Sequence, residues 1–455
     1  MDIWQSNRQL VISRGFIPEK SASSCIRRTA DSSRLKPAGM TNLWALILAW
    51  LPLAALLLVC SLSYAQTKNS CLDCHSALPD PLGVGQETFG HDIHAQKGLT
   101  CASCHGGDPT SDDADKAMSR KAGWKGKIDR AQIPQLCGSC HSDPGFMRQF
   151  NPSLRTDQLS QYKTSVHGKR LAAGDTKVAV CTDCHSVHDL RAPSNLASTV
   201  NPVNVANTCA HCHADANYMS AYKIPTNQFA GYSKSVHHDA LVVRGDLSAP
   251  TCTTCHGNHG ATPPGVASVA NVCSTCHVFQ AQLFDSSPHK DAFAAAGLPG
   301  CVTCHNNHGI LHPTDELIGT GDKSICTQCH TQGDAGYAAA ANMKEQLVHL
   351  STSIGGAEQI LGSAEQSGME VSQAKLELSQ ARDALTKARV TIHGFSVKGV
   401  EGDVNSGLAV AAKDYKAGQQ ALAERNYRRV GLGISLVAIA LVLVGLRLYI
   451  KQIER

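Results

Sequence analysis

Aromatic residues make up only 5% of this 455-residue chain, and no alternating apolar run is long enough to build the core of a sheet. Charge is close to balanced, with 41 Lys and Arg against 37 Asp and Glu, a formal +4. No dense basic run is interleaved with aromatics, which argues against a nucleic-acid partner. Extended elements are also missing from much of the chain. Pro134, Pro152, Pro202, Pro250 and Pro263-Pro264 interrupt it, so short helical turns joined by loops rich in Gly, Pro, Asn and Asp are expected. What the chain has in quantity is 20 cysteines and 22 histidines.

Eighteen of those cysteines fall into nine Cys-x-x-Cys-His motifs. They are Cys71, Cys74 and His75; Cys101, Cys104 and His105; Cys137, Cys140 and His141; Cys181, Cys184 and His185; and Cys209, Cys212 and His213. Then come Cys252, Cys255 and His256; Cys273, Cys276 and His277; Cys301, Cys304 and His305; and Cys326, Cys329 and His330. Random placement of this composition would give about 0.04 such motifs. The pattern is the attachment signature of c-type haem. Two cysteines one helical turn apart can both form thioethers to one porphyrin, and the adjoining imidazole reaches the iron. Zinc ribbons use paired cysteines without needing a histidine after every pair, and disulfides need no histidine at all. From Gln66 to Ala335 the nine motifs share 270 residues, about 30 each. So thin a chain cannot bury a protein-only core of that size, and the porphyrins are expected to be the core.

The motifs sit in an internal repeat. Four times a histidine-bearing lead precedes two motifs: Asp92-Ile93-His94, Ser165-Val166-His167, Ser235-Val236-His237 and Ser287-Pro288-His289. In the last three units the first motif is followed three residues on by another histidine: His188, His259 and His308. That spacing is too close to serve the neighbouring motif's own iron from the opposite face, so each should reach a different haem. The first unit has Gly106-Gly107-Asp108 there, and His91 is its substitute. Eight distal candidates result: His91, His94, His167, His188, His237, His259, His289 and His308. His238 competes with His237, while His211 and His312 read as bystanders. The motif at Cys71–His75 precedes the repeats and is left over. For its distal face His393, ending the segment Ala388-Arg389-Val390-Thr391-Ile392-His393, is the expected ligand, with His349 the alternative.

The flanks read differently. Leu43 to Leu62 is almost wholly apolar, and Ser63-Tyr64-Ala65 has the small–x–small form of a signal-peptidase site. Residues 1–65 are therefore expected to be a cleaved signal with a long leading region, the alternative being an uncleaved N-terminal anchor, and Met40 is another candidate start. Arg27-Arg28 lacks the rest of a twin-arginine signal. Cys60 has no small residue before it, which disfavours lipidation. The haem-bearing domain is expected over 66–335 and a helical hairpin over 336–429. From Leu350 to Ile392 apolar or small residues recur at heptad positions, predicting one helix with an alanine-rich seam, breakable at Gly355-Gly356, Gly362 and Gly368. A turn at 394–403 and a second helix from about Val404 complete the hairpin. Val430–Leu446 carries no charge, so 430–450 can span a bilayer, leaving 451–455 as a tail. Basic residues flank the span equally. Orientation follows instead from haem attachment after export, with the haem domain periplasmic and the tail cytoplasmic.

The tandem Ser-x-His…CxxCHxxH…CxxCH units resemble those of the multihaem c-type cytochromes of bacterial anaerobic respiration. The resemblance runs from Cys71 to His330. Cys101–His167, with CHGGD, Ile133-Pro134 ahead of Cys137 and Tyr162-x-x-Ser-x-His167, is similar to membrane-associated members. The resemblance implies bis-histidine, low-spin haems packed for electron hopping. None of the nine motifs is the CxxCK of the pentahaem nitrite reductases. The hairpin is similar to C-terminal helices through which some multihaem enzymes oligomerise, so it is also a candidate homo-oligomer contact. The sequence thus predicts a membrane-anchored nonahaem cytochrome c on the bacterial inner membrane. It would pass electrons from the quinol pool, or from a quinol-oxidising membrane protein, to periplasmic or outer-membrane redox partners. The alternative is a reductase or dehydrogenase of a small nitrogen or sulfur oxyanion at one five-coordinate haem. A haem-stacked filament is a third reading, opposed by the bilayer anchor.

Overall fold

The computed structural model describes residues 68–263 and 266–454. The expected signal segment, with Cys25 and Cys60, lies outside them. The described residues form helices and loops, with no strand among them. Ahead of Asp334 the longest helix among the described residues is Pro202–His213, of 12 residues. Nine apolar side chains are buried there, from Met147 to Val272, against nine buried polar ones that include Asp92, Ser165, Ser235 and Ser287. A hydrophobic core does not have that composition. Many of the short helices are held by side-chain caps instead, among them Asp92, Asp113, Asp143, Ser165, Asn201 and Asp215, which supply an oxygen to backbone N–H groups with no partner of their own.

After Asp334 three long helices follow: α1 (Ala335–Gln366), α2 (Ser372–Thr391) and α3 (Val397–Ile453). The buried positions of α1 are Ala340, Met343, Leu347, Leu350, Ile354, Ala357, Leu361 and Ala364, alternating by three and four. Leu378, Ala381, Leu385 and Ala388 continue the pattern on α2. Val400, Val404, Gly407, Ala411, Asp414, Gly418 and Ala421 do so on α3. This is a coiled-coil seam closed by three helices around one core. A Cβ on Gly407 would stand 2.8 Å from Leu350 and 3.0 Å from Ala384. Small residues are what let the helices approach so closely.

The expected hairpin is present as α2 against α3, but its first arm is two helices. The predicted helix Leu350–Ile392 breaks after Gln366, where Gly368 takes φ +79°, and α1 starts 15 residues earlier than predicted. The second turn is also shorter than predicted, because Val397 already belongs to α3. From Val397 to Arg429 α3 rises about 50 Å at 1.5 Å per residue. It continues unbroken into a segment of mean hydropathy 2.3, none of it buried, long and apolar enough to cross a membrane.

Among the described residues, the motif-bearing region meets the bundle where α1 begins and α2 ends. Arg389 makes a two-pronged ion pair with Asp315 at 2.8 and 2.8 Å, and Lys344 Nζ donates to the Asp315 carbonyl at 2.6 Å. At the opposite end Arg425 donates to Ser367 Oγ at 2.8 Å, so the α1–α2 turn lies one helical turn or so short of the apolar segment.

Candidate haem sites

The four lead histidines share one local device. Asp92, Ser165, Ser235 and Ser287 each cap the helix that carries the following histidine, accepting from His94 N at 2.8 Å, Gly168 N at 3.0 Å, His238 N at 3.2 Å and His289 N at 3.3 Å. The serine hydroxyls also donate backward, to Tyr162 O (2.7 Å), Tyr232 O (2.6 Å) and Phe284 O (2.7 Å). Tyr162 and Tyr232 then donate to the carbonyls of Ala179 and Pro250, just ahead of the next motif, at 2.8 and 2.9 Å. The Ser-x-His pattern is thus a cap that fixes where the imidazole leaves the chain.

The first motif of each unit is a short helix ending in a reversal. The residue after its histidine, Gly106, Ser186, Gly257 or Asn306, has φ between 62° and 77°. Gly106 allows no side chain, since a Cβ would lie 2.0 Å from the Gly123 carbonyl oxygen. The reversal carries the CHxxH histidine away from its own motif. Backbone bonds then clasp it to the preceding unit: Ile93 N to Leu190 O at 2.7 Å, and Val236 N to Ile310 O at 2.9 Å.

The outcome is eight pairs of facing imidazoles. His94 faces His141 at 6.0 Å between ring centroids, His167 faces His213 at 6.2 Å, His237 faces His277 at 6.3 Å and His289 faces His330 at 5.9 Å. Each lead histidine therefore meets the second motif of its own unit. His188 faces His105 at 6.1 Å, His259 faces His185 at 6.1 Å and His308 faces His256 at 5.9 Å. Each CHxxH histidine meets the first motif of the unit before. The last unit has no successor, and there His393 faces His305 at 6.0 Å. A metal–imidazole bond of about 2 Å, with roughly 1 Å more to the ring centre, puts two rings on one metal about 6 Å apart. The residues present therefore fit an iron held by both members of each pair.

The surroundings suit ligation. Burial, helped by neighbouring imidazoles, holds His141, His167, His185, His188, His237, His289 and His305 below the ordinary histidine value, favouring the neutral form that binds metal. The second ring nitrogen is held in several sites: His94 Nδ1 on Asp92 Oδ1 (3.1 Å), His330 Nδ1 on Asp334 Oδ1 (3.2 Å) and His393 Nδ1 on Val390 O (2.9 Å). Such partners fix the tautomer and turn Nε2 toward the metal. Burial pushes the Asp92 carboxyl up, but the bonds from the His94 ring and from the Leu190 and His94 N–H groups outweigh it and hold it low.

Consecutive motifs are neighbours through their sulfurs: Cys71 by Cys101, Cys104 by Cys137, Cys137 by Cys181, Cys184 by Cys212 and Cys209 by Cys252. Cys255 by Cys273, Cys273 by Cys301 and Cys304 by Cys326 complete the series. Each motif thus lies beside the next one in the chain.

Two expected sites are corrected. His393 does not stand against His75; it faces His305 because the bundle docks by the last unit, with the Phe395 ring tilted against His289 at 3.8 Å and Gly394 beside Leu283. His91 is exposed and faces no motif histidine at the paired spacing; its Nδ1 takes a bond from Arg191 instead, at 3.1 Å. His349 is exposed on α1, His312 Nδ1 lies 3.0 Å from Pro313 O, and the His238 ring stands edge-on to Tyr232 at 5.4 Å.

Comparison with known proteins agrees. Residues 93–214 match the family described as cytochrome c3, and residues 293–335 match the doubled CXXCH motif. The C-type polyheme cytochrome OmcC of Geobacter sulfurreducens is 28% identical over 121 residues, 26% of this chain and 14% of that protein. The matched part of the chain thus spans about a seventh of that relative's length. No solved structure matches. With the motifs and their histidine pairs, these matches identify the chain as a multihaem c-type cytochrome.

Proposed function

We propose that the chain is a nonahaem electron relay, anchored in the bacterial inner membrane by α3 with its haems in the periplasm. The file of motifs from Cys71 to Cys329 carries this reading. Haem supplies the one-electron chemistry. The chain's own residues supply thioether attachment, two imidazoles on eight irons, and a neighbour in chain order for each motif. Bis-imidazole ligation leaves an iron no position for substrate, so those eight sites serve outer-sphere transfer. Donors and acceptors dock at the exposed ends of the file, the donor being a quinol-oxidising membrane protein and the acceptors periplasmic or outer-membrane redox proteins.

The test is removal of the middle of the file. In the Cys209→Ala/Cys212→Ala variant, an electron injected by a photoreductant tethered beside Cys326 should reach the haem at Cys71 at least tenfold more slowly than in the parent. Unchanged transfer would show that electrons do not travel the file in chain order, and the relay reading would be withdrawn.

A further inference from the structure

Seventeen histidines are placed for ligation, and sixteen of them face one another in pairs. The seventeenth is His75. Its Nδ1 lies 2.9 Å from the Leu82 carbonyl oxygen. A carbonyl only accepts, so Nδ1 carries the proton and Nε2 keeps the lone pair that binds iron. The loop is held in this place by Val84 N, which donates to His75 O at 3.1 Å. His75 is therefore prepared as a ligand in the same way as His393 and His94.

His91 is prepared in the opposite sense. Arg191 Nη2 stands 3.1 Å from its Nδ1, and a guanidinium only donates. Nδ1 is then the acceptor, the ring proton sits on Nε2, and Nε2 has no lone pair to give. The arrangement is braced. Arg191 is itself held by Asp189 through Nε at 2.8 Å and Nη2 at 3.2 Å, and its side chain is 21% exposed. Adjoining Leu190 is fixed to Asp92 and Ile93. The pairing rule points the same way. Lead histidines serve second motifs and CHxxH histidines serve the preceding unit, so a motif ahead of all the units inherits no partner.

We propose that the Cys71–His75 haem is five-coordinate, held by His75 alone, and that its free face binds a small anion such as nitrite, azide or cyanide. The site lies at the end of the file, beside the exposed side chains of Leu78 and Leu82, where a solute can reach it. The site rests on haem attachment at Cys71 and Cys74, and is independent of whether the file relays electrons.

The experiment is electron paramagnetic resonance of the air-oxidised holoprotein, with a cyanide titration followed optically. One high-spin ferric haem per chain and uptake of one cyanide are expected. His91→Ala should leave both unchanged, while Cys71→Ala/Cys74→Ala should abolish both. A wholly low-spin protein that takes up no cyanide would overturn the proposal. So would a gain of cyanide binding on His91→Ala, which would make His91 the ligand. A high-spin signal surviving in the double cysteine variant would place the open iron elsewhere and equally overturn it.

Discussion

Asp92 accepts from the ring of His94 while Arg191 donates to the ring of His91, three residues earlier in the chain. One neighbour prepares a ligand and the other disarms one, and both histidines look alike in the sequence. His393 belongs to the first kind, since Val390 O fixes its Nδ1 proton, and it closes the gap left at His305 by the absence of a fifth unit. His393→Ala should therefore open the haem at Cys301–His305. The variant should take up one more cyanide per chain than the parent and show one more high-spin haem, whereas His349→Ala should match the parent. An unchanged low-spin count in His393→Ala would mean that the bundle supplies no ligand. That outcome would leave the Cys71–His75 proposal standing, because the parent's own count tests it separately.

At the scale of the element, attachment sites and lead histidines were legible because each is a local pattern: Cys-x-x-Cys-His needs one helical turn, and Ser-x-His needs one cap. Which histidine meets which motif was not, because it depends on the reversal at Gly106, Ser186, Gly257 and Asn306 and on clasps between segments about 75 to 100 residues apart. The heptads of the bundle were legible too, but not that the chain turns at Gly368 and fills its own seam with a third helix. That third helix packs into the same core as the other two. One seam position breaks the pattern. Asp414 is 1% exposed among alanines and glycines, and neither carboxylate oxygen has a hydrogen-bond partner. Burial, with the nearby Glu377 carboxylate, pushes its carboxyl up, while Lys413 opposes the shift. The sign follows. Unfolded, this group loses its proton near pH 3.9; folded, it keeps the proton to higher pH. Its contribution to stability therefore falls as pH rises from about 3.9 to the folded value and stays low above it. Removing a buried polar group without a partner gains about 1–3 kcal/mol. Asp414→Ala should accordingly raise the Tm of the bundle near neutral pH, by helical circular dichroism of the holoprotein, with the gain shrinking below about pH 4. A gain that does not vary with pH would show that the carboxyl is not neutral in the folded bundle.

The whole molecule sets its haems and its apolar segment at opposite ends of a stalk. Among the described residues, the motif-bearing region is tied to the bundle at the end where α1 begins: Asp315 with Arg389 and Lys344, Phe395 with His289, His393 with His305. From that end α3 runs about 50 Å before Val430 opens the apolar segment. Helix length alone therefore bears on the electron donor. Tunnelling falls steeply with distance, and no motif lies along the lower stalk to shorten the gap. For the proposed relay, a stalk standing on the bilayer would keep a membrane-confined quinol that far from the haems, which favours a quinol-oxidising partner over the quinol pool as donor. Reconstituted alone into liposomes charged with a membrane-confined quinol, the holoprotein should stay oxidised over minutes, by its haem absorbance. A water-soluble reductant added outside should reduce it at once. Shortening the stalk by one matched heptad, Leu347–Ser353 from α1 with the facing turns of α2 and α3, should leave the result with quinol unchanged, because about 40 Å of stalk remains. Rapid reduction by quinol in the parent would mean that a haem reaches the bilayer surface. The stalk would then be folded against the membrane rather than standing on it.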